Sequence, residues 1–313
     1  MWGETITLVT ATICATPAAA QCVNARFGNA NDVVITGDIG GYDGFDPDEN
    51  IEPTSVAVEL LEGSDCTVAL AVKSAAGDTR QRTMTTETGD QLSYSLFASE
   101  SGRTVLLNSI EPQRDSTLTA FLPTTGGETP IPFFVAIPPG QIVRTGSYSD
   151  QVTFRLYTVE EGTFTLVSEV PGLIQTDVPE KVDISISITD RDFDINLTTA
   201  ILDFGELETD ETGQAFIRIR SNGDYSLIAS SQNGGRLLHE EFGTRAAVSY
   251  SGSMSGIPFR FGEQDASATS LRGKGPTTNS GDAHRVDVRI GDVGSLPAGA
   301  YRDIITFSVT PEL

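Results

Sequence analysis

Residues 146–156 read GSYSDQVTFRL and residues 299–309 read GAYRDIITFSV, and the organisation of the chain follows from these two copies. The shared pattern is Gly-x-Tyr-x-Asp, any residue, a β-branched aliphatic, Thr-Phe, any residue, an aliphatic. Gly146 and Gly299 permit the turn that launches a strand. Beyond it Val152, Phe154 and Leu156 alternate with Gln151, Thr153 and Arg155, and Ile305, Phe307 and Val309 keep the same spacing. Period-two alternation puts each apolar set on one face of a half-buried strand. The sequels differ. The first copy is followed by a turn, Glu160-Glu161-Gly162, and a further strand-like run from Thr163 to Val170; the second is followed by Thr310, Pro311, Glu312 and Leu313. The first copy has a candidate partner strand, and the second does not.

A chain of 313 residues has room for about two domains, each with its own core. Aromatics are few, and short alternating runs lie between clusters of Gly, Pro, Asn and Asp, the signature of an all-β protein. A formal net charge of −23 argues against nucleic acid or anionic lipid as a partner, since phosphates would repel it, and fits a solvated surface.

Residues 1–20 are expected to be an export signal. Ile6 to Ala15 is mostly apolar and Ala18-Ala19-Ala20 offers a small-residue cleavage site before Gln21, although the start, Met-Trp-Gly-Glu, lacks Lys or Arg. No other run approaches the roughly 18 apolar residues of a membrane-spanning helix. Cys14 would leave with the signal. Cys22 and Cys66 then form a pair that in an exported chain is most simply one disulfide, contributing about 3–4 kcal/mol.

Strands are expected at Cys22–Phe27, around Val33–Ile35, at Ser55–Leu61, Asp65–Val72, Leu92–Leu96, Ser116–Leu122 and Pro132–Ile137. This spacing suits a sandwich or barrel. A first domain over 21–173, a linker over 174–181 and a second domain over 182–313 account for the length. Asp224–Ser231 resembles Asp65–Ser74, and Ser249-Tyr250-Ser251 resembles Ser93-Tyr94-Ser95, so the halves read as a duplicated domain rather than a solenoid.

Cys22, Gly41-Tyr42-Asp43, Cys66-Thr-Val-Ala-Leu, Arg82-Thr-Met84, Leu92-Ser-Tyr94 and Gly146-Ser-Tyr-Ser-Asp150 resemble the spore coat protein U domain. That domain occurs in secreted pilins of the archaic chaperone–usher pathway of Gram-negative bacteria. Phe204-Gly205, Asn233-Gly-Gly-Arg-Leu237, Val248-Ser-Tyr250 and Pro297-Ala-Gly-Ala-Tyr-Arg-Asp303 are similar to such a domain without the cysteines. The resemblance implies two immunoglobulin-like β-sandwiches, the second lacking its last strand. A neighbouring subunit's extended segment would fill the groove at Ile305, Phe307 and Val309. It also implies export through the periplasm with a pilus chaperone and an outer-membrane usher. With only Gln21 ahead of Cys22, and a first domain able to complete its own sheet, the chain is expected to be the tip adhesin of an extracellular pilus, active in surface attachment and biofilm formation. A stalk pilin and a free secreted carbohydrate-binding protein are the alternatives.

No catalytic constellation is present, so no enzyme and no cofactor are expected. No Gly-x-Ser-x-Gly elbow or phosphate loop occurs. The histidines, His239 and His284, are expected on the solvated surface. Asp190, Asp192 and Asp194 alternate, but Ile195 replaces the glycine of a calcium loop, so a strand's solvent face explains them better. Tyr148 and Tyr301 are expected to pack with their hydroxyls on backbone, and Asp150 and Asp303 to pin the turn. An adhesin must touch an abiotic surface or a host glycan. Tyr42, Phe45, Phe97, Phe121 and Leu122 are the candidate contacts.

Overall fold

The computed structural model describes residues 24–28, 33–36, 41–61, 66–74, 82–101, 103, 118–122, 127–190, 196–259 and 270–312, and every regular element among them is a strand. The first half holds β1 (Ala25–Phe27), β2 (Val33–Thr36), β3 (Asn50–Leu60), β4 (Cys66–Ser74), β5 (Arg82–Thr85), β6 (Gln91–Phe97), β7 (Leu118–Leu122), β8 (Glu128–Ile137), β9 (Gly146–Glu160) and β10 (Thr163–Val178). The second half holds β11 (Val182–Ser187), β12 (Thr212–Ser221), β13 (Asp224–Ser231), β14 (Arg236–His239), β15 (Gly243–Met254), β16 (Ile257–Pro258), β17 (Ser270–Gly273), β18 (Asp282–Ile290), β19 (Tyr301–Arg302) and β20 (Ile305–Glu312).

Alternation makes the sandwich. Leu92, Tyr94 and Leu96 of β6 face inward from one layer, and Val152, Phe154 and Leu156 of β9 face inward from the other; all are buried. In the first domain β1-β3-β8-β6 form one layer, and β7-β4-β9-β10-β2 the other, with β5 bridging β6 to β9. Every ladder is antiparallel except β10 with β2. In the second domain β11-β12-β18-β15 form one layer and β17-β13-β20 the other, with β14 and β19 turning between them. Ile217, Ile219, Leu227, Val248, Val286 and Ile290 fill that core. These are two immunoglobulin-like sandwiches.

The halves match pairing for pairing. β1–β3 corresponds to β11–β12, β3–β8 to β12–β18, β8–β6 to β18–β15 and β6–β5 to β15–β14. On the other layer β4–β7 corresponds to β13–β17, β4–β9 to β13–β20, and β5–β9 to β14–β19. Among the described residues β10 and β2 have no counterpart.

Two boundaries differ from expectation. The strand after the first copy does not stop at Val170: β10 stays in register with β9 down to Val178 opposite Gly146, because Ile174, Thr176 and Val178 continue the buried alternation. The linker is therefore Pro179 to Lys181 rather than 174–181. It is clamped by Asn222, whose Nδ2 donates to the Pro179 carbonyl (2.7 Å) and whose Oδ1 accepts the Lys181 N–H (2.7 Å).

Candidate functional site

The two copies of the quoted segment are built alike. Gly146 and Gly299 have φ of +146° and +149°, a backbone region that is essentially glycine-only. Tyr148 donates to the Arg144 carbonyl (2.7 Å) and Tyr301 to the Pro297 carbonyl (2.8 Å), each to the residue four positions back. This is the geometry of a tyrosine corner. Burial pushes the Tyr148 phenol up to about 12, with Asp90 adding to the shift and Arg144 opposing it.

Each Asp gathers a serine and a tyrosine. Asp150 Oδ2 accepts from Ser74 (2.8 Å) and Tyr94 (2.7 Å), and Asp303 Oδ2 accepts from Ser231 (2.5 Å) and Tyr250 (2.5 Å). Burial, then the neighbouring carboxylate, raises both Tyr94 and Tyr250 above the ordinary phenol range. The copies diverge in how the carboxylate is held. In the first domain the buried Arg82 pairs across from Tyr94 and donates to the Val72 carbonyl (2.5 Å). Burial lowers its pKa, and Tyr94 and Asp150 oppose that. In the second domain Gly235 stands across from Tyr250, and Asp303 Oδ1 instead accepts the N–H groups of Asn233 (3.0 Å) and Ile304 (2.8 Å). The serines, tyrosines and Arg82 were not singled out from sequence as partners of the two Asp. Aligning the halves on Ser74/Ser231 and Tyr94/Tyr250 was the signal that could have found them.

The decisive contrast lies on the apolar face. Val152, Phe154 and Leu156 are 3%, 0% and 0% exposed, and the Phe154 ring meets those of Phe27 and Phe133 at 6.5 and 6.0 Å. At the same positions Ile305, Phe307 and Val309 are only half-buried; Phe307 has the Phe259 ring at 6.0 Å. β9 has β4 on one edge and β10 along the other, whereas among the described residues β20 pairs with β13 alone. β11 faces the open edge without pairing, and its Val182, Ile184 and Ile186 are half-buried as well. Among the described residues, no ladder joins β11 to β20, and both carry half-buried apolar side chains toward the core. The backbone differs as well: β9 is continuous from Gly146, while its counterpart is divided at Asp303 and Ile304 into β19 and β20.

The other candidate residues fall in different places. Tyr42 is not a surface contact: it is 1% exposed, donates to the Pro138 carbonyl (2.9 Å) and accepts the Gln141 N–H (3.0 Å). Phe45 sits at the joint between the domains, under Arg220 (4.9 Å to the ring centroid) and Lys181 (5.9 Å), beside the Lys181–Asp43 ion pair. Phe97 is half-buried at the end of β6, with Arg103 over its ring. Phe121 and Leu122 belong to β7, but their side chains lie outside the described set, as does Cys22. Cys66, at the start of β4, is buried. Asp192 and Asp194 also lie outside the described residues.

His239 is not a solvated surface group, and His284 is only partly exposed. His239 is 4% exposed, wedged against Phe242 and Tyr301; its Nδ1 accepts the Glu241 N–H and its Nε2 bonds the Ala298 carbonyl. A Cβ at Gly299 would lie 2.2 Å from that Nε2, a second reason for glycine there. His284 bonds the hydroxyls of Tyr225 (3.0 Å) and Ser255 (3.3 Å), and Tyr225 donates to Asp282. Burial lowers the His284 pKa, and Asp282 opposes it.

The fold and the open edge define a class, paired immunoglobulin-like sandwiches of which the second is incomplete. Residues 5–155 match the Spore Coat Protein U domain. No curated protein sequence matches the chain. Among solved structures, it is similar to CsuE of Acinetobacter baumannii, a tip adhesion subunit seen in a pre-assembly complex with the chaperone CsuC of archaic Csu pili. Identity is 15%, coverage 93% of this chain and 99% of that one, and the TM-score 0.44. It is also similar to the CupB6 tip adhesin of Pseudomonas aeruginosa, at 13% identity over 91% and 93% of the two chains (TM-score 0.39). A third likeness is to the adhesin CfaE of enterotoxigenic Escherichia coli, at 9% identity over 78% and 82% (TM-score 0.34).

Proposed function

We propose that the chain is a subunit of a secreted chaperone–usher pilus, with the second domain taking a strand from a neighbouring subunit and the first domain making the adhesive end. One observation carries the reading: each strand pairing of the first domain recurs in the second except those made by β10 and β2, at the edge where the apolar residues are left half-buried. An open edge beside an uncovered apolar face is a template for strand addition and a liability in isolation. Covering about four large side chains would stabilise the domain by on the order of 6–12 kcal/mol before ordering costs.

The Spore Coat Protein U family supports the pilin assignment, and with it passage through the periplasm in the care of a chaperone and delivery by an outer-membrane usher. β10 supports a terminal position. A domain that fills its own groove accepts no donor, so a row of subunits joined by strand exchange ends there. A disulfide between Cys22 and Cys66 would tie the first domain's entry to β4. Attachment and biofilm formation would be its work at the cell surface. Of the described candidates Phe45 and Phe97 are both partly exposed, and Phe97, away from the domain joint, is the proposed contact with an abiotic surface or a host glycan.

The test is recovery of the exported chain with and without its periplasmic chaperone. Aggregation or loss without the chaperone, and soluble monomer with it, is expected. A stable monomer with no chaperone and no added strand would refute the assembly role.

A further inference from the structure

We infer that the groove beside β20 selects a partner strand that differs from β10 at one inward position and matches it at the next, with a side chain larger than valine opposite Phe307 and, as in β10, only glycine or alanine opposite Ile305. The inference rests on the strand-acceptor reading above and concerns which strand fits.

The first domain supplies the template. β10 runs antiparallel to β9 with Val170 opposite Phe154, Gly172 opposite Val152, Ile174 opposite Asp150 and Val178 opposite Gly146. The tyrosine corner and the Ser–Tyr–Asp cluster recur in the second domain. The floor strand keeps register too: Val72 pairs with Phe154 and Ala229 with Phe307, while Leu70 pairs with Leu156 and Leu227 with Val309. An occupant of the second groove therefore runs antiparallel to β20, with successive inward residues opposite Phe307, Ile305, Asp303, Tyr301 and Gly299.

The walls are not identical. Val72 becomes Ala229, which removes both γ-methyls beside Phe307, and Leu156 becomes Val309, shorter by a methylene. Among the described residues Phe154 is enclosed by two rings and Phe307 has one ring neighbour. The space around Phe307 is thus larger than that around Phe154, and a strand that fills it needs more than the valine β10 offers. At the next inward position Val152 becomes Ile305, longer by a methylene, opposite the place where β10 already has no side chain. A bulky residue there would be overpacked.

Charge gives the same answer. In β10, Glu169 pairs with Arg155 (2.6 Å) on the outer face; Ser308 replaces that arginine, so an acid there has no partner in the second domain. The outer residues Thr306, Ser308 and Thr310 are uncharged and exposed. Selection thus falls on the inward side chains.

The full chain, purified with its periplasmic chaperone so that it stays soluble, is titrated with labelled peptides that compete for the groove. The parent is β10 residues 168–178, SEVPGLIQTDV; one variant carries Val170→Leu and another Gly172→Leu. The expected order is about fourfold tighter binding for the leucine at 170, from the burial of one methylene, and about tenfold or more weaker binding for the leucine at 172. In a chain carrying Ala229→Val, the advantage of leucine over valine should vanish. Equal or reversed preferences, or a preference that survives Ala229→Val, overturn the inference while leaving a strand-acceptor domain in place. If no peptide binds a chain that stays monomeric, both fall.

Discussion

Truncating one phenylalanine in each domain separates a closed groove from an open one. Phe154 is fully buried between Phe27 and Phe133, so Phe154→Ala removes a complete aromatic contact set and should cost the first domain about 3–5 kcal/mol. Phe307 occupies the same place in the repeat but is half-buried with one ring neighbour. Phe307→Ala should therefore cost the second domain only about 1.5–2 kcal/mol in the free chain. Once a donor strand covers it, the loss should rise to about 3–4 kcal/mol, and strand affinity should fall about tenfold or more. Scanning calorimetry, with the two domains melting as separate transitions and repeated with bound donor, reads both quantities. Equal losses for the two substitutions in the free chain, unchanged on donor binding, would refute the open-groove reasoning.

The two Asp should respond unequally to Asn. Asp150→Asn removes the carboxylate that favours the charge of the buried Arg82 and should destabilise the first domain by about 3–5 kcal/mol, against about 1–3 kcal/mol for Asp303→Asn, as read by denaturant unfolding. His284 has its folded pKa depressed by burial, so its neutral form is favoured in the folded state. The stability this gives is present above the ordinary histidine pKa of about 6.5 and is lost as pH falls toward the lower folded value. The second domain should melt lower at mildly acidic than at neutral pH, with a smaller difference in His284→Gln. Phe45→Ala should loosen the joint without unfolding either domain, seen as a larger maximum dimension in small-angle scattering. A dimension unchanged from the parent chain would show that Arg220 and Lys181 gain nothing from that ring.

Much of this was legible in the sequence where physics is local. Alternation at Val152-Phe154-Leu156 and Ile305-Phe307-Val309 identifies two equivalent strands, and the glycines ahead of them are needed for a positive φ that no other residue adopts readily. The extra run after the first copy was visible, but its length was not. Gly172 and the polar Thr176 interrupt the apolar pattern, and only the ladder to β9 shows that the strand continues to Val178. Long-range partners were hidden for a different reason. Tyr42 sits in a Gly- and Asp-rich stretch that reads as a surface turn, yet its hydroxyl is held by Pro138 and Gln141, about a hundred positions away in the chain. His239 likewise carries no local mark of burial; the close approach of Gly299 creates it.

The central claim is that the second sandwich is short of one strand at β20. Amide hydrogen exchange on the full chain, compared between β9 and β20 before and after a donor strand is added, tests it most directly. Slow exchange throughout β9, fast exchange along the edge of β20, and slowing of β20 alone on donor addition are the expected results. Protection of β20 equal to that of β9 in the chain by itself, unaltered by any added strand, would contradict it.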